Sequence, residues 1–156
     1  MDKRTKAREI AMQALFQLDV QGDRVLDCID GFIKENCQEE LSEQLAREWC
    51  MGTRQHIAEC DRIIEKAAPR WRIQRIELLE RNILRLSCYQ LLKCSEIPSK
   101  VVINEAIEMA KRYGSARSPA FVNGVMDAVH RIINEEKRDA KTPDIQSVSA
   151  GAEIAQ

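Results

Sequence analysis

Apolar residues recur at three- and four-residue spacings almost from the start of this chain. Ala7, Ile10, Ala11, Ala14, Leu15 and Leu18 fall on one stripe, which predicts a helix over residues 3–20, broken by Gly22 and Asp23. A second, less regular helix is expected over 24–36 through Val25, Leu26, Ile29, Phe32 and Ile33, with Gly31 as its weak point. A long third helix over 40–67 carries Leu41, Leu45 and Trp49, then Ile57, Cys60, Ile64 and Ala67, and Pro69 ends it. The stretch Pro69-Arg70-Trp71-Arg72-Ile73 reads as a connector between two helical halves. Beyond it, residues 75–94 place Ile76, Leu79, Ile83, Leu84, Leu86, Leu91 and Leu92 on more than one face, as a central helix does.

Ile97-Pro98 stops that segment, and Ser99 is a candidate N-cap for a helix over 100–113 with Val102, Ile103, Ala106, Ile107 and Ala110 inward. Gly114 is expected to take the left-handed backbone that ends many helices. Ser118-Pro119 reads as an N-cap followed by proline at the first helical position. The last helix is expected to reach about residue 137, with Phe121 or Val122, Val125, Val129, Ile132 and Ile133 as its stripe and Gly124 at a close helix–helix approach. Residues 138–156 carry no stripe and are expected to form a mobile tail. The pattern is all-α, and the low aromatic content of 4% agrees with it.

Charge and chemistry narrow the function. The net charge is −1, so any nucleic-acid surface must be a local concentration of cations. The six cysteines, Cys28, Cys37, Cys50, Cys60, Cys88 and Cys94, show no C-x-x-C spacing, and His56 and His130 lie far apart. A zinc site or redox motif is therefore not expected; buried thiols in a reducing cytoplasm are. No apolar run exceeds three residues, so neither a leader nor a membrane span is expected. Phosphate loops, nucleophile elbows and metalloprotease motifs are missing, and the carboxylates interleave with Lys and Arg as on a solvated helix face. The expectation is a binding protein with no catalytic residues and no cofactor.

The first helix carries two unusual features. Lys3, Arg4, Lys6 and Arg8 precede its apolar stripe against Asp2 alone, either a solvated terminus or an arm that binds nucleic-acid phosphates. In addition, Met12, Phe16 and Val20 stack on the side opposite the core stripe. A second apolar stripe means an inner layer, a protein partner or self-association into a homodimer.

Several segments resemble the NusB family: residues 7–19 (Ala-Arg-Glu-Ile-Ala-Met-Gln-Ala-Leu-Phe-Gln-Leu-Asp), 81–92 (Arg-Asn-Ile-Leu-Arg-Leu-Ser-Cys-Tyr-Gln-Leu-Leu), Ile97-Pro98, 102–111 (Val-Ile-Asn-Glu-Ala-Ile-Glu-Met-Ala-Lys) and 121–127 (Phe-Val-Asn-Gly-Val-Met-Asp). Phe16, Gln90 and Arg117 depart from the residues usual in that family. The resemblance implies two packed three-helix bundles within a domain at 1–137, placed here at about 3–68 and 72–137. It also implies a transcription antitermination factor that pairs with the small-subunit ribosomal protein that doubles as NusE. The pair would bind single-stranded boxA-type RNA and act with other Nus factors and RNA polymerase on ribosomal RNA operons. On this reading Lys3, Arg4, Lys6, Arg8, Arg117, Ser118 and Phe121 face RNA, while Met12, Phe16, Glu80 and Arg81 face the protein partner. Phe121 in the first turn of its helix either stacks on an unpaired base or packs in the core. Glu80 and Arg81 could equally be a solvated surface pair. The alternatives are a helical interaction scaffold, or a NusB-like accessory domain of the kind fused to ribosomal-RNA cytosine methyltransferases, whose further α/β domain is not expected in a chain of this length.

Overall fold

The computed structural model describes residues 1–141, and all regular structure among them is helical. The helices are α1 (Lys3–Gln21), α2 (Leu26–Asn36), α3 (Glu40–Gln55), α4 (Ile57–Ala67), α5 (Leu78–Lys93), α6 (Ser99–Tyr113) and α7 (Ser118–Lys141), with short 3-10 turns at Asp23–Val25 and Ile73–Arg75. Helices α1, α2 and α3 pack as one three-helix bundle and α5, α6 and α7 as another; α1 and α3 also lie against α5, which joins the two. α5 is accordingly buried around most of its circumference, from Asn82 through Cys88 and at Gln90 and Leu91.

Local chemistry sets the ends of α1. The Asp2 carboxylate accepts from the backbone N–H of Arg4 at 2.9 Å and of Thr5 at 3.3 Å, which caps the first turn and holds the Asp2 pKa below its ordinary value. Gly22 has φ +77°, and its N–H donates to the Leu18 carbonyl at 2.8 Å. The buried face of α1 carries Ala7, Ala11 and Ala14, and that of α3 carries Ser42, Ala46, Cys50 and Gly52. Small side chains on both faces suit the extensive contact between these two helices.

Several expectations change. The long helix over 40–67 breaks at His56 (φ −112°, ψ 19°), whose ring Nδ1 lies 2.9 Å from the Gly52 carbonyl. The break lets Cys60, Ile63 and Ile64 of α4 face the second half of the molecule, where α4 packs on α5 and α7. By packing, the halves therefore divide at His56 and not at residues 68–72. α5 begins at Leu78 because Ile73 and Ile76 bury themselves from a 3-10 turn and an extended residue. Gly114 is extended (φ −90°), not left-handed; what it supplies is space, since a Cβ there would lie 2.5 Å from the Ser118 hydroxyl oxygen. Gly124 faces open space, so no helix approaches it closely, whereas a Cβ on Gly52 would land on the Tyr89 hydroxyl. α7 continues to Lys141, so residues 138–141 are helical; the rest of the expected tail, 142–156, lies outside the described residues.

A polar network ties the halves together. The Asp19 Oδ2 of α1 accepts from Arg81 Nε at 2.8 Å, Asn82 Nδ2 at 3.0 Å and Arg85 Nη1 at 3.3 Å on α5. Arg85 also grips Asp61 of α4 through two bonds, at 2.7 and 2.9 Å. Five cysteines are buried and Cys28 is exposed; all six are free thiols. No described helix is long and apolar enough to cross a membrane.

Candidate nucleic-acid interface

Because Asp2 caps α1, the basic cluster sits on the first turns of a regular helix. Arg4 is exposed and, among the described residues, pairs with no carboxylate. Lys3 Nζ lies 2.9 Å from Glu39 Oε2, with both side chains more than half exposed, so this pair can open at little cost. Lys3 and the half-buried Lys6 line a cavity of about 320 Å³ with Met1, Asn36, Gln38, Glu39 and Ser42.

Arg8 is the first correction. It is buried, only 2% exposed, and so is not available to an RNA backbone. Its guanidinium lies 5.0 Å from the centre of the Trp49 ring, and its Nη1 is 3.8 Å from Glu105 Oε1. Burial pushes its pKa down and Glu105 opposes that shift. The reason is geometric: α1 is enclosed on every side from Ala7 to Met12, so a cation two turns in belongs to the interior.

The second cationic patch lies at the start of α7. Arg117 is exposed and unpaired among the described residues, and its carbonyl accepts from Phe121 N–H at 3.2 Å, which places Arg117, not Ser118, at the cap position. Ser118 is buried, a second correction to the expected RNA contacts. Its hydroxyl donates to Glu80 Oε1 at 2.8 Å and accepts from Ser115 N–H at 3.0 Å. It fixes the start of α7 against the start of α5. Phe121 falls between the two expectations: Val122 takes the core position, and Phe121 is half-buried with part of its ring on the surface. That ring lines an apolar slot of about 320 Å³ shared with Pro69, Trp71 and Gly124. The slot and the cavity beside Lys3 and Lys6 have no residue in common, so the cations form two patches.

The expected partner residues also separate. Phe16 is half-buried and opens onto an apolar groove of about 330 Å³ lined by Gln13, Gln17, Phe32, Leu79 and Tyr113. Met12 reaches the groove but is only 1% exposed, so it is the floor and not a docking residue; of the second stripe, only Val20 stands free in solvent. The inner-layer reading thus holds for Met12, because α1 has neighbours on both sides. Arg81 is committed to Asp19 and to the Ile73 carbonyl, and its side chain is 12% exposed. Glu80 and Arg81 are therefore not a solvated pair.

Sequence reasoning missed several participants. Phe32, Leu79 and Tyr113 join Phe16 from three other helices, and periodicity within one helix carries no signal for that. Tyr113 is held by its hydroxyl, which donates to the buried Glu9 carboxylate; burial first, then Glu9, raises its pKa. Trp71 was legible only as part of a connector, although an aromatic between Arg70 and Arg72 was a usable sign.

Comparison with known proteins accords with this layout. The model of the NusB family matches residues 5–131. A transcription antitermination protein NusB from Anaeromyxobacter dehalogenans is 45% identical over 129 residues, spanning 81% of this chain and 89% of that protein. The crystal structure of T. maritima NusB covers 82% of this chain and 90% of its own, at 32% identity and a TM-score of 0.73. A crystal structure of the antitermination factors NusB and NusE in complex with dsRNA covers 85% of this chain and 98% of its own, at 28% identity and a TM-score of 0.76.

Proposed function

Since the chain belongs to the NusB family, we propose that it serves as a cytoplasmic transcription antitermination factor that binds boxA-type single-stranded RNA together with a NusE-type ribosomal protein. The observation that carries the pairing with NusE and RNA is the likeness to a NusB solved with NusE and dsRNA, over most of both chains; the single-stranded boxA-type form of the RNA is what the family resemblance implies. Two surfaces on this chain fit two such ligands. Lys3, Arg4 and Lys6 at the start of α1, with Arg117 and Phe121 at the start of α7, offer cations for phosphates and a ring for a base. The groove at Phe16 offers apolar area and few charges, which suits a protein.

Glu80 connects an element of one to an element of the other. Its neighbour Leu79 lines the partner groove, while its carboxylate holds Ser118, one turn before Phe121. A partner seated on the groove would press on the element that orients the RNA-facing turn, so partner and RNA should favour each other's binding. The role is one of assembly: the protein joins RNA and partner, acts with other Nus factors and RNA polymerase, and carries out no chemistry. Fluorescence anisotropy of a short single-stranded RNA, with and without the NusE-type partner, tests it. Salt-sensitive binding that tightens with the partner is expected.

A further inference from the structure

The slot beside Phe121 has features that the proposed function leaves unused. It lies where the connector after α4 passes the first turns of α7. Trp71, 49% exposed, is one of the two tryptophans and lines it from the connector; Phe121 lines it from α7. Among the described residues these rings stack on no other ring. Gly124, one turn beyond Phe121, has nothing within 4 Å of where its Cβ would be, so the glycine keeps the slot open. Pro69 and Ala120 complete an apolar lining, and Arg70 stands at its edge. Arg70, Arg72 and Arg117 are all exposed, and none pairs with a carboxylate among the described residues.

We infer that this slot takes one unstacked nucleobase, contacted by Trp71 as well as Phe121, with Arg70 on a flanking phosphate. The inference rests on the RNA-binding reading and extends it to a second aromatic wall on another element. Charge complementarity selects the occupant. An apolar slot with the unpaired Arg70 at its edge fits a flat base attached to an anionic backbone, whereas a purely apolar protein segment would leave that cation without a partner. Two aromatic residues from different parts of the chain line the same slot and offer a base more ring area than Phe121 alone.

Two variants of the full chain test this from opposite directions. Trp71→Ala removes a wall that is half in solvent, and Gly124→Leu fills the slot while improving the helix propensity of α7. Trp71→Ala should melt only slightly lower and Gly124→Leu no lower than the unaltered protein, and each should lose about fivefold or more in affinity for a short single-stranded RNA, measured with the NusE-type partner present. Trp71→Phe should retain most of the affinity. A fluorescent purine analogue placed at successive positions of the RNA should be quenched at one position, and only when Trp71 is present. RNA binding by the unaltered protein that neither variant changes overturns the slot while leaving the RNA reading intact. Loss of partner affinity instead of RNA affinity would show a protein-docking groove and also overturns it. No salt-sensitive RNA binding by the unaltered protein would remove the RNA reading itself.

Discussion

Arg8→Ala and Lys6→Ala are two neighbouring changes that should do opposite things. The Arg8 guanidinium is packed over Trp49, with Glu105 at 3.8 Å. Truncation leaves a void beside that ring and leaves Glu105 with the Thr5 hydroxyl, at 2.9 Å, as its remaining partner. Breaking a fully buried ion pair on one side costs about 3–5 kcal/mol; Glu105 is 22% exposed and can recover some solvation, so about 2–4 kcal/mol is expected here. For a chain of this size that is a fall in melting temperature on the order of 10 °C. The salt dependence of RNA affinity should not change, because Arg8 reaches no phosphate. Lys6→Ala should leave stability within about 0.5 kcal/mol and reduce the slope of log affinity against log salt by about 0.7, one single-strand phosphate. Changing Lys3, Arg4 and Lys6 together should remove roughly 2 from that slope. Thermal melts by circular dichroism and anisotropy titrations at several salt concentrations read both quantities. An Arg8→Ala protein that keeps its melting temperature and flattens the slope as Lys6→Ala does would refute the burial argument.

Other outcomes follow from individual contacts. Phe16→Ala should weaken partner binding in a calorimetric titration while costing less stability than the loss of a core Phe, about 3–5 kcal/mol, because the ring is only half-buried; a full core-sized loss would place it inside. Gly114→Ala drives a Cβ against Ser118 and to 2.7 Å from the Ala110 carbonyl oxygen, so urea unfolding should show a loss of about 1–3 kcal/mol. Burial raises the Cys50 thiol from 9.0 to about 12 and the Tyr89 phenol from 10.0 to about 12. Both favour the protonated form in the folded state, so their contribution is intact below pH 9 and is lost as pH rises towards 12. Melting temperatures should fall across that window, and less steeply in Cys50→Ala.

Within single helices the sequence was highly legible. The apolar stripes located the helical segments to within a few residues, except that 40–67 read as one helix and is two, and the polar, Gly-broken segments located the turns, because both signals depend on near neighbours. What depended on neighbours from elsewhere was not legible. The second stripe on α1 was visible, but that Met12 would be covered and Phe16 left half-open depended on α2, α5 and α6. Arg8 read as part of a basic run because nothing local reveals Trp49 and Glu105 around it. Glycines misled in both directions: Gly114 is a space for Ser118 and not a left-handed helix end, and Gly124 is an opening and not a close helix approach. The break at His56 had no strong local signal, since neither glycine nor proline stands there and helical periodicity continues through it.

The central claim is that RNA and a NusE-type protein bind this chain on linked surfaces. Its most direct test is the affinity of the full-length protein for a short boxA-type single-stranded RNA, measured at two or more salt concentrations with the partner absent and then saturating. The account predicts binding that weakens as salt rises and tightens by about fivefold or more when the partner is added, the scale of a coupling of about 1 kcal/mol or more. RNA binding that ignores salt, or that stays absent with the partner saturating, would contradict it.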